Sequence, residues 1–286
     1  MRINNYKDFN GPIIWSADGL SYQDLAKIVK DPRFPNGEVA VKFDRLMTEH
    51  HDFKHLEGVR EFQEDYGVAV FDDAKITEIP NKVQAIAGYH IEIANPFMLN
   101  AQGGICSNGY YPGCDAEKAE LEAAKREGRE PKFTYDALYY FAELCKKHGV
   151  RPCVVSVLTS KTPELIRLEY NKEPAEAVMF YATLSANCGI TDFVCSPKEI
   201  EIVKSLGFTL NTPGIRKAGD SAHDQARIDS PYGAITRAGS ATNIRLVIGR
   251  SIWDAEKQEP HEAVYDNIAR ILEEINQAKT DLSHIE

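Results

Sequence analysis

Asp73, Lys75 and Glu78 fall within one short stretch, VFDDAKITEIPNK at 70–82, directly behind an apolar run. Buried as a β-strand, that run would deliver all three ionisable groups to its carboxyl end, where neighbouring acids would hold the lysine in its charged form. A fixed cation among fixed anions suits a reaction in which charge develops on a bound substrate. Strand-to-helix punctuation accounts for the same residues, because Pro80 suits a first helical turn and an acid ahead of it suits the helix dipole. The choice rests on what the rest of the chain places around them.

Short β-like runs alternate with helix-length segments along the chain. PIIWSAD (12–18), EVAVKF (38–43), residues 68–75, FMLNA (97–101), RPCVVSVL (151–158), DFVCS (192–196), FTLNTPG (208–214) and IRLVIGR (244–250) read as strands. Between them, SYQDLAKIVK opened by Ser21, DFKHLEGVREFQEDY, the segment after Pro80, FTYDALYYFAELCKKHG closed by Gly149, and the amphipathic HEAVYDNIARILEEINQA read as helices. Eight strands, each followed by a helix, in 286 residues is the α/β pattern of a (β/α)8 TIM barrel, expected as a single domain over 1–286. An open doubly wound sheet would carry a Gly-rich turn after its first strand. Here that turn is ADGLS, with a single Gly.

Barrels keep their chemistry where strands end. That rule selects Asp18, Lys42, Asp73, Lys75, Asn100, Thr159, Ser160, Arg216 and Arg250. NTPGIRKAG after strand seven and VIGRSI at the end of strand eight occupy the two loops where many barrels bind phosphate through backbone N–H groups, glycines and a charged donor. Either Gly-Arg pair alone reads as a turn with a solvated arginine. Together, at those two strand ends, they read as a phosphate site.

The composition, 43% hydrophobic and 27% charged, is that of a globular protein with a full core. With 33 basic against 43 acidic residues, the net charge of −10 has the wrong sign for a nucleic-acid partner. No apolar run approaches the ~18 residues of a membrane span, and MRINNYKDFN lacks the apolar stretch of a secretory signal, so a cytoplasmic protein without a membrane partner is expected. Cys106, Cys114, Cys145, Cys153, Cys188 and Cys195 form no CxxC pair, and Cys153 and Cys195 sit in apolar runs where a buried free thiol is expected. His51 and His55 could share a helical face, but HHDFKH lacks the Glu of a zinc-protease helix and has no evident third ligand. A solvated helix face, and no metal site, is the expectation.

Taken together, these segments resemble the orotidine 5′-phosphate decarboxylase family. The resemblance is carried by SAD (16–18), VKF with Lys42, DDAKITEIPNK against the family's D-x-K-x-x-D-I-P-N-T, SVLTS (156–160), FVCSPKE (193–199), TPGIRKAGDSAHDQAR (212–227) and VIGRSI (247–252), in family order across nearly the whole chain. It implies decarboxylation of orotidine 5′-monophosphate to UMP, the last step of de novo pyrimidine nucleotide synthesis, without metal or organic cofactor, in a homodimer with shared active sites. Carried over residue by residue, Lys75 would protonate C6. Lys42, Asp73 and Glu78 would complete an alternating charge array, Glu78 reaching in from the partner subunit. Asp18 would contact the ribose hydroxyls, with Asn81 and Lys82 also among the substrate-binding positions. Thr159 and Ser160 would meet the pyrimidine amide edge, and Arg216, Gln225, Gly249 and Arg250 the phosphate region. Loss of CO2 from C6 leaves an electron pair in the ring plane with no adjacent π-system to accept it, so a fixed cation has to stabilise it. The remote phosphate can supply binding energy to close the Gly219–Gln225 loop over the base.

Three features depart from the family pattern. Glu78 stands where the family has Asp, one methylene longer, and a displacement of about 1 Å can cost on the order of 100-fold in rate. Lys82 stands in place of the motif's closing Thr. Residues 106–132 read as an insertion after strand four on the catalytic face, its Glu/Lys-rich middle expected to form a solvated helix with i,i+4 pairs, with a lid or dimer contact as the alternative. Two other functions fit parts of the pattern. A sugar-phosphate decarboxylase or aldolase of the same barrel superfamily, a group that usually needs Mg²⁺, is allowed by the D-x-K-x-x-acid motif but not favoured by SVLTS or the TPGIR to DQ segment. A nucleotide-binding homologue that has lost turnover through Glu78 is the other.

Overall fold

Eight strands form, most of them rich in β-branched or aromatic residues: β1 Ile13–Ser16, β2 Val39–Asp44, β3 Val70–Ile76, β4 Met98–Gln102, β5 Arg151–Val155, β6 Asp192–Val194, β7 Thr209–Thr212 and β8 Ile244–Ile248. The computed structural model describes residues 5–44, 54–105, 115–129, 131, 136–216, 228–257 and 260–284. Each strand runs parallel to the next in sequence order, and β8 returns to β1, with Ile13 beside both Val39 and Leu246, so the sheet closes into the expected TIM barrel. Several strands stop short of the apolar run that announced them. Asp18, Gly214 and Arg250 lie beyond the ladder, and Gly19 and Gly214 take up turns there at φ 88° and 81°.

The helices are α1 Tyr22–Lys30, α2 His55–Tyr66, α3 Pro80–Ala94, α4 Asp115–Glu127, α5 Asp136–Lys147, α6 Pro163–Tyr170, α7 Pro174–Asn187, α8 Ile200–Val203, α9 Pro231–Ala238 and α10 Ala263–Ser283. Local chemistry starts and stops them. Ser21 caps α1 by accepting from the Asp24 N–H, Pro80 occupies the first turn of α3, and Gly149 closes the turn after α5 at φ 66°. The Glu/Lys-rich middle of 106–132 is the solvated helix α4. Among the described residues it carries the i,i+3 ion pair Asp115–Lys118, and Arg129 beyond its end pairs with Glu120 and Glu127. His55 is exposed at the start of α2, while His51 lies outside the described residues.

Side-chain alternation divides the core in two. Trp15, Val41, Leu99, Val154, Phe193 and Leu246 face the helices, whereas Ile14, Ala40, Phe71, Met98, Cys153 and Val247 fill the barrel from within. Phe9 meets Phe97 edge-on at 5.3 Å and floors this inner cluster. The β5–β8 side of the interior also carries a polar network. Asp192, fully buried, accepts from Arg245 Nη1 at 2.8 Å, Arg151 Nε at 2.9 Å and Asn211 Nδ2 at 3.3 Å. These contacts hold the lower half of the barrel rigid beneath its mouth. Asp192→Ala leaves two guanidinium groups without their shared carboxylate and is expected to cost about 3–5 kcal/mol. The midpoint of urea unfolding at unchanged slope measures it, and a loss below about 1 kcal/mol would show the network to be dispensable.

Candidate active site

At the mouth of the barrel, β2 and β3 bring three charges together. Asp73 Oδ2 accepts from Lys75 Nζ at 2.6 Å and lies 3.1 Å from Lys42 Nζ, and Asp18 Oδ1 lies 3.7 Å from Lys42 on the other side. Lys42 and Asp73 are almost wholly buried, while the Lys75 side chain keeps 39% of its surface open toward the mouth. Burial works against the Lys42 ammonium, but Asp73, Asp18 and Asp44 outweigh it and hold Lys42 above the ordinary lysine value. Burial likewise opposes the Asp73 carboxylate, but Lys42, Lys75 and a hydrogen bond from Asn100 overcome it and keep Asp73 below the usual carboxylate range. The result is a charged array in which the more exposed ammonium is free to face a ligand.

Behind the array, the strand's other face is also anchored. Asp72 points away from the barrel, as alternation requires beside an inward Asp73, and its fully buried carboxylate lies 2.6 Å from His90 Nδ1 on α3. This contact ties the carboxyl end of β3 to the helix that follows it.

A cleft of about 410 Å³ opens beside the array, lined by Ser16, Asp18, Gly19, Pro213, Gly214, Arg216, Val247, Gly249 and Arg250, and also by Trp253, Asp254 and Glu256. The loops after β1, β7 and β8 converge here. Arg216 N donates to Asp229 O at 2.9 Å and Asp229 N to Gly214 O at 3.1 Å, which fixes the TPGIR turn. A Cβ on Gly249 would approach the Ser16 carbonyl oxygen to 3.4 Å, so a glycine lets this turn lie close against β1. Asp18 lines the cleft and also faces Lys42, so the cation array and the Gly-Arg cleft form one continuous site. Backbone N–H groups and two arginines at such a place suit a phosphate.

The remaining expected residues are distributed unevenly. Glu78 is exposed, accepts weakly from its neighbour Ile79 N at 3.3 Å, and makes no ion pair with Lys42 or Lys75 among the described residues. It lines a second cleft of about 380 Å³ with Lys75, Thr77, His55, Tyr89 and His90. Asn81 and Lys82 are exposed in the first turn of α3, and Thr159 and Ser160 lie in the turn after β5. Gln225 and the Gly219–Gln225 loop lie outside the described residues. Asn100, picked out only as a polar strand end, proves to touch both Lys75 and Asp73. Trp253, Asp254 and Glu256 escaped notice, although their place just after VIGRSI puts them on the same loop. The Asp72–His90 pair escaped as well, and the doublet of acids in a buried strand was its signal.

The orotidine 5′-phosphate decarboxylase / HUMPS family model matches residues 13–265. A Lysinibacillus sphaericus protein named orotidine 5′-phosphate decarboxylase is 31% identical over 241 residues, 82% of this chain and 86% of that protein. A Pasteurella multocida protein of the same name is 40% identical over 126 residues, 43% of this chain and about half, 48%, of its own length. The crystal structure of orotidine 5′-phosphate decarboxylase from Lactobacillus acidophilus shares the fold at a TM-score of 0.60 and 20% identity, over 93% of this chain and 99% of that one.

The charge array predicts a pH signature. Because the folded-state value of Asp73 is depressed, its contribution to stability is present above the unfolded value near ~3.9 and is lost as pH falls through the lower folded value. Lys42, raised, contributes fully below an unfolded value near ~10.4 and loses that contribution as pH rises through the higher folded value. A carboxyl ¹³C titration of Asp73 should therefore give a midpoint below that of an ordinary aspartate, and Lys42→Met should move it upward. A parental midpoint at or above the ordinary value would contradict the array.

Proposed function

The chain belongs to the orotidine 5′-phosphate decarboxylase / HUMPS family, and we propose that it converts orotidine 5′-monophosphate to UMP and CO2 with Lys75 as proton donor. The observation that carries this reading is the Lys42–Asp73–Lys75 array opening beside the Arg216–Arg250 cleft, with Asp18 common to both. Placed with its phosphate in the cleft, a nucleotide would lay its ribose against Asp18 and its base over Lys75. Gly249 would supply backbone close to the phosphate, and Gln225 would reach it from the Gly219–Gln225 loop. The pyrimidine edge would meet Thr159 and Ser160, and Asn81 and Lys82 at the start of α3 would border the sugar.

The C6–carboxylate bond breaks, CO2 departs and the electron pair stays on C6 in the plane of the ring. No π-system shares that pair, so the nearest fixed cation has to stabilise it. Lys75 is the ammonium open to the mouth, and the Asp73 carboxylate 2.6 Å away aims it. A proton then passes from Lys75 to C6, giving UMP, and solvent reprotonates the amine. Lys42 balances Asp73 from behind, so the carboxylate is not left uncompensated when Lys75 gives up its proton.

The working unit in this reading is a homodimer. Within one subunit Glu78 borders a cleft with Lys75 but makes no ion pair with it among the described residues, and the surface around it carries the exposed Ile79 and Tyr89. A second copy seated there would bury those apolar side chains and present its own Glu78 to the neighbouring site. A cytoplasmic location accords with a nucleotide substrate and with the buried free thiols Cys145, Cys153, Cys188 and Cys195. Among the described residues no helix is long and apolar enough to cross a membrane.

Purified protein incubated with orotidine 5′-monophosphate and a chelator should lose substrate absorbance, and Lys75→Ala should abolish the loss. Activity that vanishes with chelator and returns with Mg²⁺ would favour a sugar-phosphate reaction of the same barrel. Tight UMP binding without turnover would identify a binding homologue. The shared site is tested by subunit exchange between Lys75→Ala and Glu78→Ala proteins, each expected to be nearly inactive. Random one-to-one exchange in a two-fold dimer makes half the dimers mixed with half their sites intact, so about one quarter of parental activity should return. No recovery despite demonstrated exchange would place Glu78 within its own subunit's site or outside the mechanism.

A further inference from the structure

We propose that Asn100 is a positioning residue that fixes Lys75 and Asp73 relative to each other across an irregularity between β3 and β4. The role rests on the decarboxylase reading above and concerns how this chain aims its proton donor.

Lys75 has a φ of 46°, in the left-handed region that a side-chain-bearing residue seldom enters without support. The neighbouring ladder is irregular at the same point. Asp72 pairs with Leu99, but the next paired residues are Ile76 and Ala101, so four steps along β3 match two along β4. The residues between are left without regular ladder partners, and Asn100 is the β4 residue facing that gap. Its side chain substitutes for the missing ladder. Asn100 Oδ1 accepts from the Lys75 backbone N–H at 2.7 Å, and its Nδ2 donates to Asp73 Oδ1 at 2.5 Å.

Three further facts make the contact specific. Asn100 is fully buried, so water does not stand in for either bond. Asp73 Oδ2 is already taken by the two ammonium groups, and the amide fills the other oxygen. Rotating the amide by a half-turn would set its oxygen against the Asp73 carboxylate and its NH₂ against the Lys75 N–H, two repulsions in place of two bonds. One planar group therefore locks the backbone of the proton donor to the carboxylate that orients its ammonium.

Two substitutions separate positioning from mere packing. Asn100→Leu keeps the branched outline of the side chain and removes both bonds. Its kcat should fall on the order of 100-fold, as for a misplacement of about 1 Å, while the dissociation constant for UMP stays within about twofold of the parent. Asn100→Asp keeps an acceptor for the Lys75 N–H but sets a second carboxylate against Asp73. The titratable groups facing that position are Asp73 and Lys75 on β3, Lys42 on β2, and Cys153 on β5, whose thiol is held protonated by burial. Two carboxyls in contact share a proton. The Asn100→Asp protein should therefore be impaired at neutral pH and regain activity as pH falls, when the introduced carboxyl becomes a donor to Asp73, and the parent should show no such rise.

An Asn100→Leu protein that keeps kcat, or loses UMP affinity as much as kcat, would overturn the proposal. So would an Asn100→Asp profile parallel to the parent's, and this second variant decides if the leucine protein does not fold. An active parent with indifferent variants removes the role of Asn100 alone, whereas a parent that does not decarboxylate orotidine 5′-monophosphate overturns the assigned reaction and this role with it.

Discussion

A carboxylate buried between two ammonium groups is the constraint on which the rest of the site depends. Asp73 is acceptable in the barrel because Lys42, Lys75 and Asn100 all donate to it, and the buried Lys42 ammonium in turn depends on Asp73 together with Asp18. Loss of any one member leaves an uncompensated charge or a broken bond in a low-dielectric place. Rigidity of this kind is what a reaction with an unshared electron pair requires, because the stabilising charge has to be in position before the bond breaks.

The barrel serves this array in two ways. Its lower half is held shut by the Phe9–Phe97 floor and the Asp192–Arg151–Arg245 network, so the strand ends above do not shift relative to one another. Its closure also brings β8 beside β1, which sets the Gly249–Arg250 turn against Ser16 and Asp18. The Gly-Arg cleft and the Lys75 ammonium thus lie at adjoining parts of one surface. Binding energy gathered at the cleft can be used to hold a ligand against the array.

Glu78 illustrates how one motif can serve two purposes. Lys75 and Asp73 pair within β3, whereas Glu78, three residues on, lies past the strand's end, exposed ahead of α3 in a cleft it shares with Lys75. A linear spacing that suggests one cluster is divided by the end of the strand into an interior pair and a surface acid. The exposed Ile79 and Tyr89 near it are the kind of apolar surface that association covers.

The sequence by itself determined the eight strands and their order, and picked out Lys42, Asp73, Lys75 and the two Gly-Arg turns as groups gathered at the strand ends. Each of these follows from local pattern: alternation sets which face a side chain takes, and a closed barrel puts every strand's carboxyl end at one mouth. Strand ends were less legible, since the ladders of β1 and β8 stop at Ser16 and Ile248, two residues inside the runs that read as strands. Only the tertiary structure decided that Asn100 bridges Lys75 and Asp73, that Asp72 anchors to His90, that Asp192 gathers two arginines, and that Glu78 stands apart from the array. Those contacts join residues far apart in the chain and depend on register. A bulge that matches four residues of β3 to two of β4 leaves no trace in hydrophobic periodicity, yet it determines which side chain on β4 meets the backbone of Lys75.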